Sequence, residues 1–442
     1  KTRGFYGHNG HLSVDPVVIV KMLLLAYLYN VPSIRELMRQ TADRLSFRWF
    51  IGYDLDEKIP DHSVISKALR RFGPDVFREL FEKSVAQCAA AGLVGGELVH
   101  VDATTVKADA SGDSIVERFQ PAHSPERFVQ AVEQEISANE TKETPPSGGS
   151  AVNDRYVSTT DGDASIVSRH GGKRELAYKD HRVVDDQCGV ILETQVTPAA
   201  VAEGTRLPFL IEAVHARQLY PRAVAADKSY GHAANFRYLW EQRITAHLAR
   251  IRSPRQKPGV FGKEQFTYLP EDDVYLCPTG QRLSPGTRKA RRGFREYKAA
   301  QTACQPCPRR EACLTGHSAR TIQRATDEAY VERIRPGPIG RRGAMRRRKA
   351  VMEGSFADAK ERYGHRRSRW RGLNKMQMQS YLVAAVQNLG KLLKFGPKPA
   401  AEARQFSRPM IAPPTIRAEI GFVLFWLKSR VTISRSLPLL TP

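Results

Sequence analysis

The order of apolar segments between residues 98 and 248 most constrains the fold of this chain. β-rich runs and helical patterns follow one another there as three strands, a helix, a strand, a helix and a last strand. Because helices that connect strands cover the faces of a sheet, this order predicts an α/β fold with a mixed sheet flanked by helices. The predicted strands cover residues 98–106, 177–184, 190–196, 222–226 and 245–248, and the predicted helices cover residues 206–217 and 232–242.

Helix-start signals recur through residues 1–94, which we predict to form an all-α N-terminal domain. Capping residues and prolines in the first helical turn are the signals used. The expected starts are Asp15-Pro16, the capping box from Ser33 to Glu36, Asp61, and Pro74 after Gly73. Gly95 and Gly96 then end the helical region.

Two segments interrupt the predicted α/β domain, which covers residues 95–250 and 328–395. Residues 110–156 are polar and rich in Ser, Glu, Gly and Pro, which predicts a flexible insertion. Residues 251–327 form a basic insertion with four of the six cysteines. The remaining segments are helical patterns at 343–363 and 375–394 and a tail at 396–442 that fits no domain.

The charge balance narrows the class of binding partner. The 442 residues carry a formal net charge of +23, which favours nucleic acid or an anionic membrane surface. The longest apolar run, residues 17–31, is interrupted by Lys21 and is shorter than the roughly 20 apolar residues of a spanning helix. The cysteines do not resemble a secreted disulfide framework. We therefore expect a cytosolic protein.

Two aspartates stand at positions that need an explanation. Asp102 lies within the apolar and β-branched run LVHVDATTVK, where a buried charge is costly unless a metal ion or a positive partner compensates it. Asp227 directly follows a short predicted strand, at the strand end where open sheets bind ligands. Taken singly, a strand-end aspartate is more typical of a turn or a helix cap.

A third carboxylate, Glu353, lies on the helical pattern at 343–363. At 3.6 residues per turn it shares a face with Lys349, Phe356 and Lys360. By itself this pattern is also that of a solvated helix with weak i,i+4 pairs. Together with the two aspartates it predicts a site for two Mg²⁺ or Mn²⁺ ions, because such ions prefer carboxylate oxygens and promote phosphodiester transfer.

A strongly basic segment surrounds Glu353. Residues 331–375 contain fifteen Lys or Arg residues and four Asp or Glu residues, with Tyr363, His365 and Trp370 interleaved. A charge run is usually a solvated face, but aromatic side chains among cations can stack on bases or sugars. We interpret this segment as a DNA contact.

These motifs resemble the bacterial insertion-sequence transposases of the DDE type, from about residue 5 to about residue 395. SFRWFIGYDLDEKIPDHSVISKALRRFG resembles the N-terminal helical domain of that family. HVDATTVKADAS resembles its first-aspartate strand, and AVAADKSYGHAAN resembles its second-aspartate motif. RRRKAVMEGSFADAKERYGHRRSRWRGLNK resembles its glutamate helix.

The resemblance implies an RNase H-like core with a metal-bound triad of Asp102, Asp227 and Glu353. It further implies cleavage and joining of DNA at terminal inverted repeats, a homodimer in the complex with DNA, and a bacterial cytoplasmic protein associated with the nucleoid. The residues expected to contact DNA are Arg346, Lys349, Lys360, Arg366, Arg367, Arg369 and Arg371. Arg346 and Lys349 stand where related transposases often have tyrosine and arginine.

Four cysteines of the basic insertion have spacings that suggest a metal site. Cys277 lies in a knuckle-like turn, Cys304 and Cys307 form a CxxC pair, and Cys313 follows. Four thiolates can complete a tetrahedral structural zinc site, with His317 as an alternative fourth ligand. The other interpretation is that they are free thiols of a cytosolic protein.

Two other functions stay open on sequence alone. A nuclease with the same core would hydrolyse DNA without joining it. A decayed transposase, or a regulator that uses the N-terminal helices, would bind DNA without a metal ion and would not depend on Asp102.

Overall fold

A computed structural model describes residues 14–118, 151–168, 174–249, 259–289, 294–314, 316–333 and 340–397. The chain divides into two compact units. The first unit is Lys1–Pro221 with Arg346–Pro442, and the second is Arg222–Met345. Most of the predicted flexible insertion, and nearly all of the tail after residue 396, lie outside the described residues.

Helices occur along the whole described chain, and the three longest lie towards its N-terminal and C-terminal ends. The helices are α1 (Pro16–Leu28), α2 (Ile34–Asp43), α3 (Leu45–Ile51), α4 (His62–Ala90), α5 (Ala151–Arg155), α6 (Leu207–His215), α7 (Ala233–Glu241), α8 (Gln301–Cys304), α9 (Arg310–Cys313), α10 (Glu328–Glu332), α11 (Gly340–Arg362) and α12 (Leu373–Phe395).

Strands occupy the middle of the chain. They are β1 (Leu98–Lys107), β2 (Ile115–Glu117), β3 (Tyr156–Ser158), β4 (Ser165–Ser168), β5 (Arg174–Asp185), β6 (Ile191–Pro198), β7 (Ala223–Ala226), β8 (Thr245–Leu248), β9 (Thr267–Leu269), β10 (Val274–Leu276), β11 (Arg282–Lys289), β12 (Phe294–Ala299) and β13 (Thr321–Ala325).

The first helices begin at the predicted capping residues. Asp15, Ser33 and Asp61 each accept a backbone N–H from the first turn of α1, α2 and α4, at 2.8, 3.1 and 2.8 Å. The predicted third and fourth helices are two halves of α4, which is kinked at Gly73 (φ 62°, ψ 179°) just before Pro74. Side-chain caps therefore set these starts, because they satisfy N–H groups that have no partner within the helix.

The sheet of the first unit is antiparallel around β5. β1 pairs with one edge of β5, while β6 and β4 pair with the other edge. In this register Asp102 lies opposite Arg182, and Thr104 lies opposite Asp180. The sequence predicted β1, β5 and β6 closely. It did not predict β4 or the β2–β3 pair, whose strands are only three or four residues long.

Helix α12 is in the core of the first unit and packs on α4 and β6. Most of its residues from Met376 to Leu392 are buried, as expected for a helix that is covered on all sides. The Tyr381 ring stacks on Phe81 of α4 at 5.7 Å. The Asn388 amide bonds the backbone N–H and carbonyl of Ile191, each at 2.8 Å, and so ties α12 to the start of β6.

The second unit contains a parallel strand pair and a five-stranded antiparallel sheet. The predicted strands β7 and β8 and the predicted helix α7 between them are present, and the two strands pair in parallel. The antiparallel sheet has the order β13-β12-β11-β10-β9 and a core that includes Phe266, Tyr275, Leu283 and Tyr297. The predicted α/β class is thereby confirmed. Within the described residues, no helix has the length and apolar character needed to cross a bilayer.

Candidate active site

Asp102 lies in the middle of β1, and its side chain is 22% exposed. Its Oδ1 accepts the Ala103 N–H at 2.9 Å, and its Oδ2 accepts a hydrogen bond from Arg348 Nη1 of α11 at 2.5 Å. The sequence required a metal ion or a positive partner for this carboxylate, and Arg348 supplies a positive charge. No local pattern indicated this pair, because the two residues are 246 positions apart.

Two further contacts hold α11 against the sheet. Lys360 Nζ donates to Thr104 Oγ1 of β1 at 2.6 Å. Nearer the start of the helix, Arg347 Nε donates to Asp186 Oδ1 at 2.7 Å, and the same oxygen lies 2.8 Å from His100 Nε2 of β1. Burial by itself would raise the pKa of Asp186, but the hydrogen bonds from Arg347 and His100 lower it below its usual value. α11 is therefore attached to the sheet on both sides of the predicted catalytic glutamate.

Glu353 lies on α11 between these contacts and is 68% exposed. Its carboxylate is 4.0 Å from Lys349 Nζ, the i,i+4 pair that the helical spacing predicts. Asp102 and Glu353 offer the carboxylate oxygens that Mg²⁺ and Mn²⁺ prefer. In the described part of the chain, however, no group of three or more His, Cys, Asp or Glu side chains is arranged to hold a metal ion.

Asp227 belongs to the second unit and directly follows β7, as predicted. Its Oδ1 accepts the backbone N–H of Ser229 at 2.8 Å and the Ser229 hydroxyl at 2.5 Å. It therefore caps the short 3₁₀ turn Lys228–Tyr230. The sequence analysis left this capping role open for a strand-end aspartate. The Asp227 carboxylate also lies at the end of a β-strand, as the proposed metal ligand would.

A buried polar network fixes the middle of α11 on the sheet. Asp180 and Arg182, two residues apart on β5, are fully buried and paired at 2.9 Å. Arg182 Nη1 also donates to the Ser355 hydroxyl of α11 at 3.2 Å and to Gln387 Oε1 of α12 at 2.8 Å. Its guanidinium lies 5.2 Å from the centre of the Phe356 ring. α11 is thus held by buried hydrogen bonds as well as by its two outer contacts.

Asp180 is the anionic centre of this network. It accepts hydrogen bonds from Thr194 Oγ1 at 2.6 Å and Ser380 Oγ at 2.8 Å, and lies 2.9 Å from His365 Nε2. Burial would raise its pKa, but the charge of Arg182 and these hydrogen bonds hold the pKa of Asp180 well below its usual range. Burial also lowers the pKa of His365. The network is therefore an ion pair whose carboxylate accepts hydrogen bonds from several elements, whereas Arg182 Nη2 is buried without a hydrogen-bond partner among the described residues.

Sequence reasoning missed this network. The signal available was the run KDHR at residues 179–182, four polar residues inside a β-rich run. Residues i and i+2 of a strand share a face, so an aspartate and an arginine at that spacing can pair with each other and require further buried partners.

Most of the basic residues predicted to contact DNA are exposed. They are Arg346, Lys349, Arg366, Arg367 and Arg371, whereas Lys360 is partly buried. Arg367 and Arg371 are 53% and 59% exposed and both pair with Asp109, at 2.8 and 3.5 Å. Exposed guanidinium groups on one short stretch can reach a phosphate backbone.

Arg369 and His365 have internal contacts that the sequence did not indicate. Arg369 Nη1 donates to the Val31 carbonyl at 2.8 Å, and its guanidinium lies 4.2 Å from the centre of the Tyr27 ring. It therefore holds the connection between α1 and α2. His365 is fully buried against Asp180, so the expectation that it stacks on bases is wrong.

The four cysteines of the insertion line one cavity of about 30 Å³, and all four are free thiols. Thr279 Oγ1 lies 3.0 Å from Cys277 Sγ and 4.0 Å from Cys307 Sγ. Burial raises the pKa of the Cys313 thiol, and negative charge on the other three sulfurs would raise it further. His317, the alternative fourth ligand, is exposed. The structure therefore brings the predicted cysteines together.

Two segments of the chain match known protein families. Residues 1–71 match a family described as a transposase domain, and residues 276–393 match a family described as a transposase DDE domain. The second match contains Glu353 and the four cysteines, whereas Asp102 and Asp227 lie between the two matched segments. No curated protein was found to match the chain.

Proposed function

Because the chain belongs to the insertion-sequence transposases of the DDE type, we propose that it cleaves and joins DNA at the terminal inverted repeats of a mobile element. In this proposal Asp102, Asp227 and Glu353 form the catalytic triad of an RNase H-like core. One observation supports it most. α11, which carries Glu353, is bonded to β1, which carries Asp102, through Arg348 and Lys360.

Two Mg²⁺ or Mn²⁺ ions are the cofactors in this proposal, held by the carboxylates of Asp102, Asp227 and Glu353. When bound, such ions activate the attacking oxygen and stabilise the leaving oxygen of a phosphodiester. The donor set fits these ions in chemistry, since they prefer carboxylate oxygens and water. Lys360 lies seven residues after Glu353, where its ammonium group can also meet a DNA phosphate.

The proposed domain arrangement follows from this function. Residues 1–94 serve as a helical DNA-binding domain, residues 95–250 and 328–395 form the catalytic core, and residues 251–327 are its insertion. The proposed DNA contacts are Arg346, Lys349, Lys360, Arg366, Arg367 and Arg371, without the internally bonded Arg369. A homodimer would hold two element ends and the target DNA, and the protein would act in the bacterial cytoplasm, at the nucleoid.

We assign a structural zinc ion to the cysteine cavity. Cys277, Cys304, Cys307 and Cys313 would be its ligands, because four thiolates suit the tetrahedral preference of Zn²⁺. Hydrogen bonds from Thr279 and Gln281 outweigh burial and lower the pKa of Cys277, which favours the thiolate form that binds metal. Binding requires the sulfurs to draw together around the ion.

A strand-transfer assay on the terminal repeats of the element tests the proposed activity. Purified wild-type protein with Mg²⁺ or Mn²⁺ is expected to give joined product. Glu353→Gln should reduce the rate by about a hundredfold to a thousandfold, because mutating a group that stabilises charge in the transition state costs this much in other enzymes. DNA binding, measured by gel shift in EDTA, should stay near the wild-type value.

Glu361→Gln is the matched control, because Glu361 is an exposed glutamate on the same helix. It should join DNA at the wild-type rate. Cut DNA without joined product from the wild type would favour the nuclease. Binding without cleavage in all three proteins would favour an inactive DNA-binding relative. Full activity of Glu353→Gln would exclude Glu353 from the triad.

A further inference from the structure

Arg348 occupies an oxygen of Asp102 that a metal ion would need. Its Nη1 donates to Oδ2 at 2.5 Å, and the two side chains are only 15% and 22% exposed. Within the described residues, Arg348 Nε is buried and has no hydrogen-bond partner. The arginine therefore leaves one donor unsatisfied while it makes a short, charge-assisted bond to the aspartate, which indicates that charge pairing determines its position.

Helix α11 does not depend on this contact to stay on the sheet. Arg347 is paired with Asp186, and Lys360 is bonded to Thr104. Between these two points lies the buried network around Arg182. Arg348 can therefore leave Asp102 while α11 remains in place.

We propose that Arg348 is a built-in competitor for the divalent cation at Asp102. This inference rests on the proposed function, in which Asp102 is a metal ligand. A single carboxylate oxygen does not hold a guanidinium at 2.5 Å and a divalent cation together, because the two positive groups would repel each other at contact distance. Metal binding at Oδ2 therefore requires Arg348 to move.

DNA provides the group that draws Arg348 away. Guanidinium groups bind phosphates through paired hydrogen bonds, and the exposed Arg346 and Lys349 flank Arg348 in the sequence. A phosphate attracted by these cations can accept Arg348 and release Asp102. DNA binding and metal binding then strengthen each other, and this coupling is reciprocal. The free protein is kept from loading metal until its substrate is bound.

Titration of the full chain with Mn²⁺ in the absence of DNA tests the competition. Binding is measured from the electron paramagnetic resonance of free Mn²⁺. Arg348→Gln is compared with Arg362→Gln, which removes the same charge from a 74% exposed position on the same helix. We expect Arg348→Gln to lower the Kd for Mn²⁺ about tenfold, the factor that corresponds to ~1.4 kcal/mol. Arg362→Gln should stay within about twofold, since exposed distant charges are screened.

Addition of terminal-repeat DNA completes the experiment. After correction for Mn²⁺ bound by DNA alone, DNA should tighten Mn²⁺ binding by the wild type and have no such effect on Arg348→Gln. Unchanged or weaker Mn²⁺ binding by Arg348→Gln would overturn the competition and make Arg348 a residue that positions Asp102. If Arg348→Gln does not fold, Arg348→Lys should shift the Kd in the same direction by a smaller factor.

Asp102→Asn separates this inference from the proposed function. The comparison is made with terminal-repeat DNA present, where Arg348 is expected to release Asp102. If Asp102→Asn then binds Mn²⁺ as tightly as the wild type, Asp102 is not a metal ligand and the proposed site itself is wrong. If Asp102→Asn loses Mn²⁺ with DNA present while Arg348→Gln equals the wild type in its absence, only the competition is overturned.

Discussion

Gly73 and Gly354 both lie within helices but place different demands on the backbone. Gly73 has φ 62° and ψ 179°, a conformation that is almost restricted to glycine, and it allows the kink between the two halves of α4. Gly354 lies in the regular part of α11, next to Glu353. Among the described residues, an added Cβ at Gly354 would meet no atom within 4 Å. The backbone conformation at position 73 therefore requires glycine, whereas Gly354 only weakens helix α11.

Alanine at the two positions should change stability in opposite directions. Gly73→Ala should lower the free energy of unfolding by about 1–3 kcal/mol, because alanine is strained at that φ and ψ. Gly354→Ala should raise it by about 0.5–1 kcal/mol, because alanine loses less backbone entropy in a helix. Urea unfolding followed by circular dichroism measures both. A Gly73→Ala protein as stable as the wild type would show that α4 does not need the kink.

Prediction of the candidate site from sequence was limited by sequence distance. The sequence predicted that Asp102 lies on a strand, because β-branched residues surround it, and that its buried carboxylate needs a compensating positive charge. The sequence did not predict which residue supplies that charge. Arg348 is one of several arginines in a row, and only the register of α11 on β1 selects it. Arg369 could not be separated from its exposed neighbours for the same reason.

At the level of elements, helix starts and long strands were predictable from sequence because local chemistry sets them. Ser33 and Asp61 satisfy unpaired N–H groups whatever the rest of the chain does. The five-stranded sheet of the second unit was not predicted. β9 and β10 have three residues each, and the β11–β12 pairing shifts register between Pro285 and Arg288. Short, irregular strands lack the alternation that marks a sheet.

The zinc proposal belongs to this small sheet, because a metal can hold short strands and loops that bury little apolar surface. Protein expressed with zinc should contain about one Zn²⁺ per chain by elemental analysis, as expected for a single four-cysteine site. The double change Cys304→Ser with Cys307→Ser should remove the zinc and lower the temperature of unfolding. Cys188→Ser is the control, since Cys188 lies outside the cavity. Zinc-free wild-type protein after such expression would leave the four residues as ordinary thiols.

For the whole molecule, the excess of positive charge is the property that sequence alone established. The net charge of +23 does not determine the fold, but it favours polyanions and makes their binding depend on salt. The structure divides the basic residues into two groups. Arg346, Lys349 and Arg366 are exposed, whereas Arg182 and Arg369 are engaged inside the first unit. Only the exposed group is expected to release counterions from DNA.

Salt titration of DNA binding can distinguish the exposed basic residues from the internally bonded ones. The exposed group has five members, which are Arg346, Lys349, Arg366, Arg367 and Arg371. If each of them neutralises one phosphate, a plot of log K against log salt should have a slope of about −4.5 or steeper. Arg366→Gln should make the slope shallower by about 0.9 and weaken terminal-repeat and unrelated DNA alike. Arg369→Gln should leave the slope unchanged and lower the temperature of unfolding, because Arg369 bonds the Val31 carbonyl. Fluorescence anisotropy between low and physiological salt measures the slopes. A change in slope for Arg369→Gln, or none for Arg366→Gln, would contradict the division into exposed and internal arginines.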